Sequence, residues 1–160
     1  MTSLHDELGG FLRTYEAAWR GGNYDAVRAL WDSDEPEPIY VAEESAPLIG
    51  WAAIDAYFAG NRKVLANVAI RTWDHQVRAV GEDVAILFYQ MHWNAKIVDG
   101  SLMGGDVRVS GLVRRTAAGW RFFHYVEAPL AAMVQMRGML RANCDDDFAK
   151  ANASSPKANA

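Results

Sequence analysis

The stretch GLVRRTAAGWRFFHYVEAP, residues 111–129, decides the fold of this chain. Leucine, valine and aromatic residues lie on both sides of a short turn that ends at Gly119, a pattern that predicts an antiparallel β-hairpin. Further turns are predicted at Gly81, at Gly100 and at the Gly104-Gly105 pair. These turns divide the second half of the chain into a four-stranded meander, with strands predicted at 68–80, 83–97, 106–115 and 120–128.

The first half of the chain has helical periodicity instead. Apolar residues recur every three or four positions from Leu4 to Trp19, from Asn23 to Trp31 and after Gly50, which predicts three helices. A short strand is predicted at Ile39–Ala42, and Pro129 suits the first turn of a last helix. Helices followed by an antiparallel meander predict an α+β fold with the helices on one face of the sheet.

The composition is that of a small globular protein. Of 160 residues, 51% are hydrophobic and 22% are charged, and we predict one domain over residues 1–142 followed by a disordered tail over 143–160. The net charge of -4 and the absence of a basic cluster argue against nucleic acid as a partner. A single cysteine, Cys144, the lack of a signal peptide and the lack of a long apolar run favour a cytoplasmic protein without a membrane partner.

The sequence predicts neither a metal nor a cofactor. The four histidines lack the short spacings of zinc ligands, and Cys144 lies in the predicted tail. The sequence contains no nucleophile motif, phosphate-binding loop or dinucleotide-binding fingerprint.

The aromatic content is high for a chain of this length, with six tryptophans, six tyrosines and six phenylalanines. Two interpretations remain open. The rings either pack a core or a dimer interface, or they line a pocket for a flat organic molecule.

Three stretches, in their order and spacing, carry a resemblance to a known family: FLRTYEAAWRGGNYDAVRALW (11–31), IGWAAIDAYF (49–58) and the hairpin at 111–129. The chain resembles the nuclear-transport-factor-2-like superfamily and, within it, the SnoaL-like and ketosteroid-isomerase-like small enzymes. The resemblance implies a cone-shaped, curved antiparallel sheet wrapped around N-terminal helices, with a C-terminal helix and an internal cavity. Many members catalyse isomerisation, dehydration, cyclisation or lyase reactions without a cofactor, and others are non-catalytic assembly modules.

The resemblance also places single residues. Tyr15 matches the tyrosine with which ketosteroid isomerases donate a hydrogen bond to a developing oxyanion. The isomerase base, a carboxylate in the first strand, has no counterpart, because the matching positions around Tyr40 read Ile-Tyr-Val. The second donor of that family, an aspartic acid, falls near Gly111. Steroid isomerisation is therefore not expected.

His124 is the first candidate catalytic residue. A tight turn between the last two strands pairs Gly111 with His124. Because side chains alternate along a strand, His124 then shares the concave face with Trp120 and Phe122. The alternative is a histidine that bonds to a neighbouring strand or helix without a catalytic role.

The preceding hairpin supplies a second candidate histidine. Its alternation predicts that His75, Arg71, Tyr89 and Trp93 face the cavity and that His92 faces away. A single β-bulge would reverse this assignment.

These residues form a set for acid–base chemistry. Imidazole titrates near neutral pH, so His124 and His75 are predicted to move protons. A tyrosine hydroxyl stays protonated at neutral pH and can donate a hydrogen bond to an oxyanion, the role predicted for Tyr15 or Tyr40.

Three carboxylates, Glu43, Glu44 and Glu127, are interpreted as solvated groups at the cavity rim. For Glu127 the alternative is a base or a group that orients a neighbour. The predicted substrate-binding residues are Trp19, Trp31, Tyr57, Phe58, Arg71, Trp73, Tyr89, Met91, Trp93 and Val109.

The sequence therefore predicts a cofactor-free lyase, dehydratase or isomerase for an aromatic or polycyclic molecule, such as a lignin-type aromatic dimer, a polyketide or a steroid. The alternative is a non-catalytic ligand-binding or subunit-assembly module of the same fold. A homodimer is also predicted, because Phe123 and Tyr125 fall on the convex face of the sheet, where exposed rings favour association.

Overall fold

The computed structural model describes residues 3–130 and Asp145. The elements are α1 Leu4–Trp19, α2 Tyr24–Arg28, β1 Ile39–Val41, β2 Leu48–Ile49, α3 Trp51–Val64, β3 Leu65–Val80, β4 Val84–Ile97, β5 Leu102–Thr116 and β6 Gly119–Pro129. The six strands form one curved sheet that does not close, in the order β2-β1-β6-β5-β4-β3. The fold class is α+β, as predicted.

The three predicted helices are confirmed, and local contacts explain where they begin. The Ser3 side chain accepts a hydrogen bond from the backbone N–H of Asp6, and the Asn23 side chain accepts one from Ala26. Gly50 precedes α3 with a φ of 79°, which glycine adopts without strain. The last helix, predicted after Pro129, lies outside the described residues.

The predicted meander is confirmed as β3 to β6, which are antiparallel throughout. The short strand predicted at Ile39–Ala42 is β1. It pairs in parallel with β6, with Tyr40 beside Tyr125, and antiparallel with β2, a strand that the sequence analysis did not predict. The parallel pair brings the first half of the chain against the last strand of the meander.

The turn predicted at Gly104-Gly105 is wrong, because both glycines lie inside β5. The chain turns instead at Gly100, which has a φ of 92°. At Gly104, a Cβ atom would lie 2.7 Å from the carbonyl oxygen of Trp93. Glycine is required here by the close approach of two backbones and not by a turn.

In the last hairpin, the predicted pair of Val113 with Phe122 is confirmed, whereas the predicted pair of Gly111 with His124 is wrong. A β-bulge at Phe123 shifts the pairing by one residue, so that Leu112 pairs with His124 and Gly111 pairs with Tyr125. One extra residue in a strand exchanges the faces of all the residues that follow it.

The bulge decides what the inner face of β6 presents to the helices. Trp120 and Phe122 point inward, and after the bulge Tyr125 and Glu127 do so as well. His124 lies on the outer face. The predictions that His124 faces the cavity and that Tyr125 lies on the convex face are therefore both wrong, and Tyr125 is fully buried.

A second irregularity lies in β3 between Trp73 and Gln76, where Asp74 has a φ of 52°. Before it, Arg71 pairs with His92 on the outer face, and Trp73 follows on that same face. The predicted inward orientation of Arg71 and Trp73 is therefore wrong. His92 faces away from the helices, as the sequence analysis expected.

Candidate functional site

A cavity of about 270 Å³ lies against the inner face of the sheet. Its wall is rich in rings: Tyr15 and Trp19 of α1, Tyr40 of β1, Tyr57 of α3 and Trp93 of β4. Planar, apolar side chains of this kind bind flat organic molecules by stacking and edge contacts.

Glu127 lies in the wall of the cavity, near the end of β6. Tyr125 lies two residues before it and points to the same side of the strand. The Tyr125 hydroxyl donates a hydrogen bond of 2.8 Å to Oε1 of Glu127. The bulge at Phe123 turns both residues inward and so places this contact in the cavity.

Burial raises the pKa of Glu127 to about 7. The negative charges of Glu43 and Glu44 add to this increase, whereas the hydrogen bond from Tyr125 favours the ionised form and opposes it. A carboxyl group with this pKa exchanges its proton near neutral pH, as a general acid or base must.

Tyr40 presents a hydroxyl group to the same cavity. The side chain is only 4% exposed, and its ring is stacked on the ring of Tyr125. Burial, followed by the charge of Glu127, raises the pKa of Tyr40 well above its usual value. Within the described residues its hydroxyl has no hydrogen-bond partner, so it remains a protonated donor available to a ligand.

Tyr15 reaches the cavity from α1. Its ring meets Phe122 edge-on at a centroid distance of 5.3 Å and lies 6.1 Å from the ring of Tyr125. Burial, with a smaller effect from the charge of Glu127, raises the pKa of Tyr15 above its usual value. Two tyrosine side chains from different elements therefore lie around one carboxyl group.

The mouth of the cavity is acidic. The Tyr57 hydroxyl donates a hydrogen bond of 2.7 Å to Oε1 of Glu44. Burial and this hydrogen bond raise the pKa of Tyr57. Burial, and then the charge of Glu44, raises the pKa of Glu43. Three carboxylates, those of Glu43, Glu44 and Glu127, therefore line the cavity.

All the predicted site residues except His75 fall into three groups. Those that line the cavity are Tyr15, Trp19, Tyr40, Tyr57, Met91 and Trp93. Those packed into the hydrophobic core are Trp31, Phe58, Tyr89 and Val109. Those on the outer face of the sheet are Arg71, Trp73 and His124.

His75 lies at the irregularity of β3 and does not line the cavity. Its Nε2 atom is 3.0 Å from Oγ1 of Thr72, and the same hydroxyl lies 2.7 Å from Oε1 of Glu16 in α1. Burial, with a smaller effect from His5, lowers the pKa of His75. The hydrogen bond between Thr72 and Glu16 attaches β3 to α1.

The other two histidines of the sheet lie on its outer face. Burial lowers the pKa of His124. Nδ1 of His92 is 2.7 Å from a carboxylate oxygen of Asp106. None of the described histidines lines the cavity.

The interpretation of Glu127 as a solvated strand-end carboxylate is wrong, and the alternative role of a base fits its place in the cavity wall. Four consecutive residues from Phe122 to Tyr125 carry rings, so both faces of the strand read as equally apolar and alternation does not fix the register. The available signal was the position of Glu127 two residues after Tyr125, on whichever face that ring occupies.

In the part of the chain that the structure describes, no group of three or more His, Cys, Asp or Glu side chains is arranged to hold a metal ion. Nor does any helix in that part have the length and apolar character needed to cross a membrane.

Comparison with known families gives one match that covers most of the chain. A sequence model described as the SnoaL-like domain matches residues 10–132. Curated protein sequences give no match.

Many solved structures have a similar fold, among them the following three. A proposed dehydratase of the NTF2-like family from Streptomyces avermitilis has a TM-score of 0.68 and 18% identity, over 79% of this chain and 96% of that chain. A proposed aromatic ring hydroxylase from Novosphingobium aromaticivorans has a TM-score of 0.70 and 20% identity, over 80% and 90%. A proposed scytalone dehydratase from the same organism has a TM-score of 0.69 and 10% identity, over 79% and 83%. At these identities the similarity establishes the fold alone.

Proposed function

The chain belongs to the SnoaL-like domain family, and from this premise we propose that it is a cofactor-independent isomerase or dehydratase for a small aromatic molecule. Glu127 removes and returns the proton, in place of the histidines that the sequence analysis favoured. Tyr40 and Tyr15 donate hydrogen bonds to the oxygen that becomes negative. The observation that carries the proposal is the half-buried Glu127 carboxyl group, which lines the ring-rich cavity, accepts a hydrogen bond from Tyr125 and has a pKa of about 7.

The first step is removal of a proton from a carbon atom next to a carbonyl group. A base with a pKa near the working pH is suited to this transfer. The electron pair of the C–H bond moves toward the carbonyl group, and the carbonyl oxygen becomes an enolate oxygen. The free hydroxyl of Tyr40 can donate to this oxygen, and one such donor in a water-excluded site contributes about 10²–10³ in rate.

The second step returns the proton from Glu127. Where a C=C bond is conjugated with the enolate, delivery to the far carbon of this dienolate re-forms the carbonyl group, moves the C=C bond and completes an isomerisation. Delivery to a β-hydroxyl group, whose C–O bond breaks as the enolate electrons return, releases water and completes a dehydration. Both routes regenerate the carboxylate and need no external oxidant or reductant. The name of the Streptomyces avermitilis relative, a proposed dehydratase, supports the second route.

The ring-lined wall supports an aromatic substrate. The volume of about 270 Å³ is close to the lower end of the range for small-molecule sites, roughly 300–1,000 Å³. It therefore favours a molecule of one or two rings, such as a lignin-type fragment or a small polyketide, over a steroid.

The alternative of a non-catalytic module predicts a cavity filled by its own side chains, or one without converging polar groups. The cavity is open, and Glu127, Tyr40 and Tyr15 converge on it. These features favour the enzyme.

Hydrogen exchange next to a carbonyl group tests the proposal without knowledge of the natural substrate. Nuclear magnetic resonance in D₂O measures deuterium incorporation into 2-tetralone and related one- and two-ring aryl ketones. We expect the protein to accelerate the exchange, and Glu127→Gln to slow it by about 10²–10⁴. Glu82→Gln, which alters an exposed turn outside the cavity, should retain the original rate. Equal rates for Glu127→Gln and the unaltered protein, or no acceleration at all, would contradict the proposal.

A further inference from the structure

Among residues 3–130, the cavity carries carboxyl groups and no basic side chain to balance their charge. Glu43, Glu44 and Glu127 line it, and none of its described lining residues is a lysine, arginine or histidine. The basic side chains of the adjoining helices α2 and α3 do not supply this charge, because Arg28 and Arg62 are each bound to an aspartate. Lys63 of α3 is exposed and does not line the cavity.

Neighbouring negative charges raise the pKa values of two of these carboxyl groups, Glu43 and Glu127. The charge of Glu44 acts on Glu43, and the charges of both act on Glu127, in addition to the effect of burial. Like charges in one partly dry site are costly, and either a proton or a bound cation relieves the cost. A positively charged ligand would therefore be stabilised by all three groups.

The rings of the cavity also suit a cation. Tyr40 and Tyr57 lie with their centroids 5.5 Å apart, and Trp93 contributes an indole ring to the same wall. The faces of such rings attract ammonium groups, and rings combined with carboxylates form the usual recognition site for amines. An aromatic carboxylate would instead meet three groups of its own charge.

We propose that the ligand of this cavity is an aromatic molecule that carries a protonated amine. Its ring lies among the side chains of Tyr15 and Trp19, and its ammonium group lies at the mouth, close to Glu43 and Glu44. The inference rests on the proposed function for the location of the substrate, and it adds a positive charge that the proton transfer itself does not require. Arylalkylamines are the simplest members of this class.

Calorimetric titration with three probes of nearly equal shape tests the inference. The probes are 2-phenylethylamine, which is a cation at neutral pH, 2-phenylethanol, which is neutral, and 3-phenylpropanoate, which is an anion. At low ionic strength, where charge effects are least screened, we expect the amine to bind about tenfold more tightly than the alcohol, a difference of about 1.4 kcal/mol. The carboxylate should bind most weakly. Equal affinities, a preference for the carboxylate, or no binding of the amine overturns the inference.

A double variant tests whether Glu43 and Glu44 cause the preference for the amine. Glu43→Gln combined with Glu44→Gln keeps the size of both side chains and removes their charge, so the amine should lose about tenfold in affinity. The affinity of the alcohol reports whether the ring site of the variant is intact. Glu82→Gln, a charge removal on an exposed turn outside the cavity, should leave all three affinities unchanged. Unchanged amine affinity in the double variant overturns the inference.

The two proposals fail separately. If the amine preference is absent while exchange in 2-tetralone depends on Glu127, the proposed reaction stands and the charge of the ligand is wrong. If the amine preference is present while exchange does not depend on Glu127, the cavity binds amines and the proposed reaction is wrong.

Discussion

The rings of Tyr40 and Tyr125 are stacked, with centroids 5.2 Å apart and planes 5° from parallel, on the neighbouring strands β1 and β6. The parallel pairing of the strands sets these residues side by side, and the bulge at Phe123 turns Tyr125 inward. Because the Tyr125 hydroxyl also binds Glu127, one pair of strands positions both the proposed base and the proposed hydrogen-bond donor. The three-residue strand β1 is therefore part of the site.

Glu127 should make the stability of the protein depend on pH. Folding raises its pKa from the usual 4.5 to about 7, so the folded state binds this proton more tightly than the unfolded chain does. The stabilisation is fully present below about pH 4.5 and is lost as the pH rises through 7, a total of about 3 kcal/mol. Glu127→Gln removes this contribution and keeps an oxygen that accepts from Tyr125. Urea unfolding of both proteins at about pH 5 and pH 8 checks the prediction, and the same pH dependence in both would contradict it.

Tyr40→Phe should lower kcat by about 10²–10³ without a comparable change in KM, because the lost hydroxyl acts on the oxyanion and not on the ground state. Tyr24→Phe is the matched control. The Tyr24 hydroxyl is also buried without a described partner, but it lies outside the cavity. Its removal should leave kcat unchanged and stability equal or slightly higher. Steady-state kinetics decides, and an unchanged kcat in Tyr40→Phe would exclude the proposed role of this hydroxyl.

His124→Ala should leave kcat/KM close to its original value, because the imidazole lies on the outer face of the sheet. His75→Ala should cost about 1 kcal/mol of stability through the lost contact with Thr72, with little effect on turnover. Kinetics and urea unfolding of the two variants separate these effects. A loss of turnover of about 100-fold in His124→Ala would return the catalytic role to the histidine.

A pair of glycine substitutions tests the close approach of β4 and β5. Gly104→Ala should destabilise the protein by about 1–3 kcal/mol, because the new Cβ would lie 2.7 Å from the Trp93 carbonyl oxygen. Gly60→Ala in α3 introduces a methyl group with no neighbour within 4 Å and should stabilise by about 1 kcal/mol through helix propensity. Thermal unfolding measures both. Similar shifts in the same direction would contradict the described strand packing.

The predicted homodimer remains a proposal, with Ile86 and Phe88 in place of Tyr125 beside Phe123. Ile86 and Phe88 are 38% and 40% exposed on the outer face of β4, whereas Tyr125 is not on that face. Burial of these side chains against a second copy would remove apolar surface from water. We expect light scattering to detect a dimer at micromolar concentration and Phe88→Glu to dissociate it, while Val98→Glu, on the turn after β4, should not. A purely monomeric parent protein would rule out this association.

Periodicity was sufficient to predict the three helices and the four long strands β3 to β6, because alternation and helical spacing are averaged over many residues, but it did not indicate the two-residue strand β2. It was not sufficient for register. The extra residues at Phe123 and near Asp74 change the facing of long strand segments without changing their composition. The parallel pairing of β1 with β6 joins segments about 85 residues apart, and no local pattern signals such a contact.

The same distinction holds for the site: residues that depended only on secondary structure could be predicted, and the one that depended on register could not. Tyr15 and Tyr40 needed only a correct helix and a correct strand, and both line the cavity. Glu127 needed the register of β6, and its raised pKa needs burial together with Glu43 and Glu44 from a distant loop. These neighbours are properties of the folded chain.

The reactive carboxyl group and most of the apolar wall of the cavity come from different strands. Glu127 belongs to β6, whereas Val68 and Ile70 of β3 and Met103 of β5 supply apolar wall elsewhere. Substitution of these three side chains would change the shape of the cavity available to a ligand and leave the Tyr125–Glu127 pair in place. Substitutions in this wall, whether natural or engineered, can therefore change which compounds bind and leave the reactive carboxyl group unchanged.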